Sequence, residues 1–421
     1  MHNSGGRVSY KLRRGCRRIC RVFRLDAGNS LLAQATEHYM HHLLLEPNRI
    51  DFESSSTMFT VLSDKDIQRI LQNLSHGELD GLTQALEKAL IQYSTQNDHQ
   101  YQPHRAAITR PSGQVSLFMP ATTESLVGVK IVGVAPSPDP STLPPGTKPQ
   151  AGLKSALTLC DDVGQAIGIL NAAELTAFRT ALGSMLLYKT RKRTEKIVVF
   201  GAGKQALWHV RLAVLLRGKD IMRVTIVNRS GQRAQELVET LTSDSGWPEH
   251  VTIGAVEQPE SEELEKLVSE ADVIFCTTPS RVPLILASFL TSESAREKSR
   301  YIAAIGSYRL DMAEIDPELL KKAADPSGEF SSQVWRGSIT VDSREGCLQE
   351  AGELVSSGVA AENWLEVGAI NGDCSPEMDD WLKNGFVIYK SVGIGIMDLA
   401  VGSALLELAR SKNIGLTVED F

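Results

Sequence analysis

The sequence predicts an α/β architecture: a doubly wound parallel sheet inserted into a second, α+β, domain. Three observations predict it. From residue 196 onward short β-rich runs alternate with helical patterns, a glycine-rich turn joins the first of these strands to its helix, and hairpin-like strands come before that stretch while helices follow it. With 421 residues, 42% of them hydrophobic, the chain can bury more than one core. A net charge of −7 argues against a nucleic-acid partner, whose footprint is usually basic. No run reaches the roughly 18 uninterrupted apolar residues of a membrane span, so no membrane role is expected. The best candidate, 392–409, is broken by Asp398 and Glu407 and reads as a buried amphipathic helix.

The elements follow in order. Residues 1–25 carry eight Lys or Arg and no acid, a composition that suits a mitochondrial presequence, although basic and apolar faces do not alternate cleanly. The globular pattern starts at Met58, so 1–57 is read as a disordered, targeting or spurious extension. Ser63-Asp64 caps a helix over 65–74, and a second helix covers 79–93. Strands over 105–109 and 114–119 flank a Pro-Ser-Gly turn as a hairpin. Another strand spans 126–134. Six prolines in 136–149 forbid a regular element there. Strands over 156–160 and 166–170 precede a helix over 174–189. Strands are then expected at 196–200, 223–227, 251–256, 273–277 and 301–305, with helices at 205–217, 232–241 and 262–270 between them. A last strand at 339–341 is followed by helices over 347–356 and 393–411. The domains are thus drawn as 58–190 plus 335–421 around an inserted 191–334.

The six cysteines are scattered and form no disulfide framework, which points to a reducing compartment, the cytoplasm, or the mitochondrion if the first 57 residues are a true presequence. Cys16 and Cys20 lack a second ligand pair, so no metal is expected.

The most specific motif is Gly201-Ala-Gly203-Lys204-Gln205-Ala206, a Gly-x-Gly-x-x-Ala turn between an apolar strand and a helix. Gly201 permits the tight turn, Gly203 lets the backbone approach a pyrophosphate, and the small residue at 206 lets helix and strand pack closely. The helix N-terminus then faces the phosphates. This context makes the inserted sheet a Rossmann dinucleotide-binding unit. The second strand ends Val227-Asn228-Arg229-Ser230, without the acid that usually accepts from the ribose of NAD. Asn228 and Ser230 can donate to a 2′-phosphate and Arg229 can pair with it, so NADP(H) is favoured and NAD(H) remains open. Thr277, after the fourth strand, can contact the cofactor or merely cap its turn.

Three basic residues stand out in the first domain: Arg105, Lys130 within an apolar strand, and Arg179. A strand-interior Lys needs a partner. Either it sits in an internal salt bridge, or the three form a cationic clamp for a carboxylate.

With Gln102-Pro-His-Arg105, Met119-Pro120, Gly128-Val-Lys130 and Arg179-Thr180 added to the glycine turn, the chain resembles the ornithine cyclodeaminase/mu-crystallin family. Val341-Asp-Ser-Arg-Glu345, Glu350-Ala-Gly-Glu353, and Lys390-Ser-Val-Gly393 with Asp398 extend the resemblance over 58–421. It implies a homodimer whose first domain supplies the dimer sheet and the pocket for a small amino or imino acid. It further implies that Arg105, Lys130 and Arg179 hold the substrate carboxylate, and that Arg179 and Thr180 approach the cofactor phosphates. Two departures matter. A cyclodeaminase has a Glu shortly before Met-Pro, where Leu117 stands here, and an Asp after the fifth Rossmann strand, where Tyr308 stands, with Asp311 three residues on. Hydride transfer to or from the α-carbon of an imino or amino acid, favouring a cyclic ketimine carboxylate reductase, is therefore expected. Alternatives are ornithine cyclodeaminase, an alanine-type dehydrogenase, and a crystallin-like protein that binds without turnover.

Overall fold

A computed structural model of the chain describes residues 58–135, 154–244 and 246–421. The extension 1–57 and the proline-rich stretch 136–149 lie outside the described residues.

The chain begins with β1 (Phe59–Leu62) and α1 (Asp64–Leu71). Ser63 caps α1 in a reciprocal box with Asp66, and Ser75 with Glu78 does the same for α2 (His76–Thr95). Each box satisfies N–H groups that a helix start leaves orphaned. There follow β2 (Ala106–Thr109), β3 (Val115–Thr122), β4 (Leu126–Val134), β5 (Lys154–Asp161) and β6 (Ala166–Asn171). α3 (Ala172–Tyr188), capped by Asn171, is buried along almost its whole length.

The alternating part runs β7 (Lys196–Phe200), α4 (Lys204–Arg217), β8 (Arg223–Asn228), α5 (Gly231–Thr242), β9 (Thr252–Glu257), α6 (Ser261–Glu270) and β10 (Val273–Cys276). It continues through α7 (Glu293–Arg296), β11 (Arg300–Ala304), α8 (Pro317–Ala324), β12 (Ile339–Val341), α9 (Arg344–Glu350) and α10 (Gly352–Ser357). β13 (Trp364–Glu366), α11 (Val367–Gly372), α12 (Pro376–Asn384), β14 (Phe386–Lys390), α13 (Gly395–Ser411) and β15 (Leu416–Val418) complete it.

Two sheets result. The first has the order β15-β1-β6-β5-β4-β3-β2, antiparallel from β6 to β2, with β1 parallel to β6. The second is a parallel, Rossmann-type sheet of order β13-β12-β14-β11-β10-β7-β8-β9. Its strand order reverses between β7 and β10, the switch point at which open α/β sheets bind ligands.

Three of its eight strands, β12, β13 and β14, come from beyond residue 334, so the sheet is wider than the alternating segment alone. β14 was not expected. Its five residues are all buried, and a strand covered on both faces has no alternation to reveal it. The expected helix 347–356 is two helices with a break at Ala351 (φ −87°, ψ 88°). The break lets Gly352 lie against the loop after β11, where an added Cβ would come within 2.3 Å of the Met312 carbonyl oxygen.

Candidate functional site

Strand register places the basic residues. Met119 lies opposite Lys130, which lies opposite Leu157, and period-two geometry sends all three to one buried face. Ala106 pairs with Phe118, so Arg105, one residue earlier, adjoins Met119 at the end of the same row. α13 packs on β3, β4 and β5 and carries Asp398 in its first turn.

Lys130 is almost fully buried and donates to Asp398 Oδ2 at 2.7 Å and to Thr176 Oγ1 at 3.5 Å. Arg179, on α3, donates from Nε to Asp398 Oδ1 at 3.0 Å. One carboxylate thus bridges two cations. Burial pushes Lys130 down to about 8, and Arg179 and Arg105 push the same way against the pull of Asp398. Arg179 and Arg105 thus both lie within electrostatic reach of Lys130. Burial would raise Asp398, but Arg179 and Lys130 outweigh it and hold the carboxyl below its ordinary value. The guanidinium of Arg179 also lies against Gly393 (φ 79°), where a Cβ would sit 2.7 Å from Nη1. Only glycine fits there.

Arg105 is bound by both oxygens of Glu350, the last residue of α9, and its Nη2 donates to the Tyr308 carbonyl at 3.5 Å. Burial drives Glu350 up to about 7 despite Arg105. His104 Nε2 stands 3.6 Å from Glu350 and is lowered by burial and then by Arg105. Arg105 and Glu350 line a pocket with Tyr93, Met119, Ser343 and Gly393. Gly393 therefore joins the pocket to the Arg179 side. Asp342 holds its backbone in place, accepting from Gly393 N at 2.7 Å and from Ser391 Oγ at 2.7 Å.

The glycine turn sits at the switch point. Gly201 has φ 112°, and a Cβ there would be 2.6 Å from Thr277 Oγ1. Gly203 starts α4 without a side-chain cap, and a Cβ on it would meet nothing within 4 Å. That edge is open to an approaching anion, with the helix amides facing it. Lys204 pairs with Glu174, which also accepts from Trp208 Nε1 at 2.6 Å. Gln205 Oε1 is buried with no hydrogen-bond partner among the described residues. Asn228 Nδ2 donates to the Ser230 carbonyl at 3.0 Å, Ser230 caps α5, and Arg229 is exposed. The Thr277 hydroxyl donates to the Phe200 carbonyl at 2.7 Å, and Thr180 is buried beside Arg179.

With the sheet order and these pairings in place, the comparison with known proteins is direct. The ornithine cyclodeaminase/mu-crystallin family profile matches residues 64–413. The chain belongs to this family. Among similar proteins, a delta(1)-pyrroline-2-carboxylate reductase of Bacillus cereus is 26% identical over 318 residues, covering 72% of this chain and 84% of that protein. The ketimine reductase mu-crystallin of Macropus fuliginosus is 26% identical over 351 residues, covering 82% and 95%. The family fold is also that of the Thermococcus litoralis delta(1)-pyrroline-2-carboxylate reductase solved with NADH and L-proline, with a TM-score of 0.65, 20% identity, and coverage of 85% of this chain and all of that one.

Sequence reasoning named the cations but not their partners. Asp398 was noted as an acid in an apolar helix, and such an acid needs a counter-charge; that signal was legible. Glu350 and His104 stand in motifs that carry the family resemblance, but nothing in the sequence joined them to each other or Glu350 to Arg105. Leu117 is half-buried on β3, and Tyr308 is half-buried. Asp311 pairs with Arg309 at 2.8 Å and Arg281 at 3.3 Å on an exposed loop. Among the described residues no group of His, Cys, Asp and Glu is arranged to hold a metal, and no helix is long and apolar enough to cross a membrane.

Proposed function

We propose that this protein is an NAD(P)H-dependent reductase that delivers hydride to the C=N carbon of a small 2-imino acid, with cyclic ketimine carboxylates as its favoured substrates. The observation that carries this reading is a charge imbalance. Arg105, Lys130 and Arg179 are three cations, and Glu350 and Asp398 are the two carboxylates bound to them. A substrate carboxylate is the anion that balances the set.

The residues at the switch point fit a dinucleotide: a glycine in the left-handed region, a glycine edge with open space before it, and an uncapped helix start. A nicotinamide bound there supplies the hydride. Arg105, whose Nε and Nη2 are engaged by Glu350 and the Tyr308 carbonyl, would offer the carboxylate its Nη1, which has no partner among the described residues. Lys130 and Arg179, fixed by Asp398, restrain the substrate from the sheet side, and such positioning lowers a barrier by several kcal/mol. Lys130, already weakened towards 8, is the group placed to give a proton to the substrate nitrogen. Arg179 and Thr180 would face the cofactor phosphates, as would Lys204 and Gln205 across the glycine turn. Asn228, Arg229 and Ser230 favour NADP(H) over NAD(H), and Thr277 lines the nicotinamide side.

Two named relatives act on imines of this class, a pyrroline-2-carboxylate and a ketimine. Leu117 and Tyr308, standing where a cyclodeaminase carries acids, weigh against ornithine as substrate. In this reading the first sheet, with the helices on it, is the substrate and dimerisation domain, and 191–334 is the core of the dinucleotide domain. Ile108, Val127 and Ile131 lie on the outer face of the first sheet at 50%, 40% and 43% exposure, opposite the face that carries Lys130. A second copy of the chain would cover them in a homodimer, and Ile131→Glu should yield monomer by light scattering.

The deciding experiment follows NADPH and NADH absorbance with purified protein and pyrroline-, piperideine- and thiazoline-type carboxylates, measuring ammonia from ornithine in parallel. Oxidation of the cofactor with an imine is the expected result. Ammonia release without net cofactor consumption would replace the reading with a cyclodeaminase. No turnover of any substrate would leave a binding protein.

A further inference from the structure

We propose that Glu314 is a positioning residue for the nicotinamide half of the dinucleotide site, its single carboxylate fixing the turn after β10 to the turn after β11. The inference rests on the dinucleotide reading above and adds a residue that touches neither substrate nor cofactor.

Glu314 is fully buried. Its Oε1 accepts from the backbone N–H of Thr278 at 2.6 Å, and its Oε2 from Gly306 at 2.6 Å and Ser307 at 3.2 Å. The residue is itself anchored, because its carbonyl accepts from Leu284 at 2.8 Å and Ile285 at 3.1 Å. The two turns touch through backbone: a Cβ on Gly306 would come 2.3 Å from Thr278. On one side Thr277 lies against Gly201, and on the other the Tyr308 carbonyl receives Arg105. Glu314 therefore sits under one continuous edge that runs from the glycine turn to the substrate pocket. In a sheet of this order the adenosine half lies over β7, β8 and β9, and the nicotinamide half over β10, β11 and β14. The two turns that Glu314 itself holds, after β10 and β11, lie on the nicotinamide side of that edge.

Three N–H donors converge on two oxygens, and an ionised carboxylate is acceptor-only. An amide there would turn an NH2 towards an N–H and leave a buried donor unpaired. The groups facing Glu314 are Lys390 from β14, Glu353 from α10 and Cys276 from β10. Lys390 is paired with Glu353 at 2.9 Å, so two buried acids share one cation. Burial, with Glu353 adding to it, raises Glu314 to about 7 against Lys390 and the backbone N–H groups.

The test measures dissociation constants of NADPH and 2′,5′-ADP, with NADH and ADP as a matched pair, for the unmodified protein and Glu314→Gln. The variant should weaken the whole dinucleotide about 10-fold or more and leave the adenosine half within about two-fold, a split that general destabilisation would not produce. Parallel weakening of both, or an unchanged dinucleotide affinity, would overturn the proposal while leaving the dinucleotide reading intact. Failure of the unmodified protein to bind any of the four would sink both. If the variant does not fold, the unmodified protein decides: its dinucleotide affinity should fall relative to the adenosine half as pH drops through about 7, when protonation removes an acceptor. A ratio flat in pH overturns the proposal.

Discussion

Two buried ionic clusters face each other in charge sign. On the first sheet three cations share two carboxylates; under the Rossmann sheet two carboxylates, Glu314 and Glu353, share Lys390. Both sets have lost water, so both must find partners for the excess charge. The acid-rich set finds them in its own backbone, in the N–H groups of Thr278, Gly306 and Ser307. Among the described residues the cation-rich set finds only weak neutral acceptors beyond its two carboxylates, such as the Tyr308 carbonyl and Thr176 Oγ1, each at 3.5 Å, because an N–H cannot serve a cation. The difference teaches that excess negative charge is met by the backbone of the frame itself, whereas excess positive charge is what the proposed function assigns to a ligand.

The harshest way to break this contrast is to remove the shared anion of the first cluster. Asp398→Ala should cost about 3–5 kcal/mol of stability, because two buried cations lose their counter-charge; denaturant unfolding measures it. Next, Lys130→Ala should lower kcat/KM for the imine about 10-fold or more, at least about 1.4 kcal/mol of transition-state stabilisation. An unchanged rate would reduce Lys130 to a structural partner of Asp398.

Glu350 sharpens the contrast through pH. Its folded value of about 7 lies above the ordinary 4.5. Between those two values the folded protein holds a proton that the unfolded chain has released, so stability falls as pH rises through this window and no further above it. Thermal midpoints across the window should show that decline in the unmodified protein, and a shallower one in Glu350→Gln. The smallest effect is expected at the far end of the site. Asn228→Asp should shift the NADPH-to-NADH preference towards NADH by about five-fold, since the new acid repels a 2′-phosphate and accepts from a ribose hydroxyl; initial rates with the two cofactors test it.

How much was legible follows the range of the interactions. The glycine turn between β7 and α4 is a local device, readable from six residues and their flanks. Lys130 in an apolar strand announced that it needed a partner, and Asp398 in an apolar helix announced the same. Nothing local joined them, because 268 positions separate the two. β14 was hidden by burial on both faces, and the split of α9 from α10 by a close approach of the α10 start to the distant loop after β11.

The sequence by itself determined the strand and helix periods, the cap at Ser63, the dinucleotide turn and the family. These depend on neighbours within a few residues, whose chemistry is written consecutively. Only the tertiary structure decided which carboxylate answers which cation, since that is set by strand register and by where α13 and α9 come to rest. Electrostatic partnership inside a protein is a matter of distance in space and loss of water, and neither is encoded in spacing along the chain.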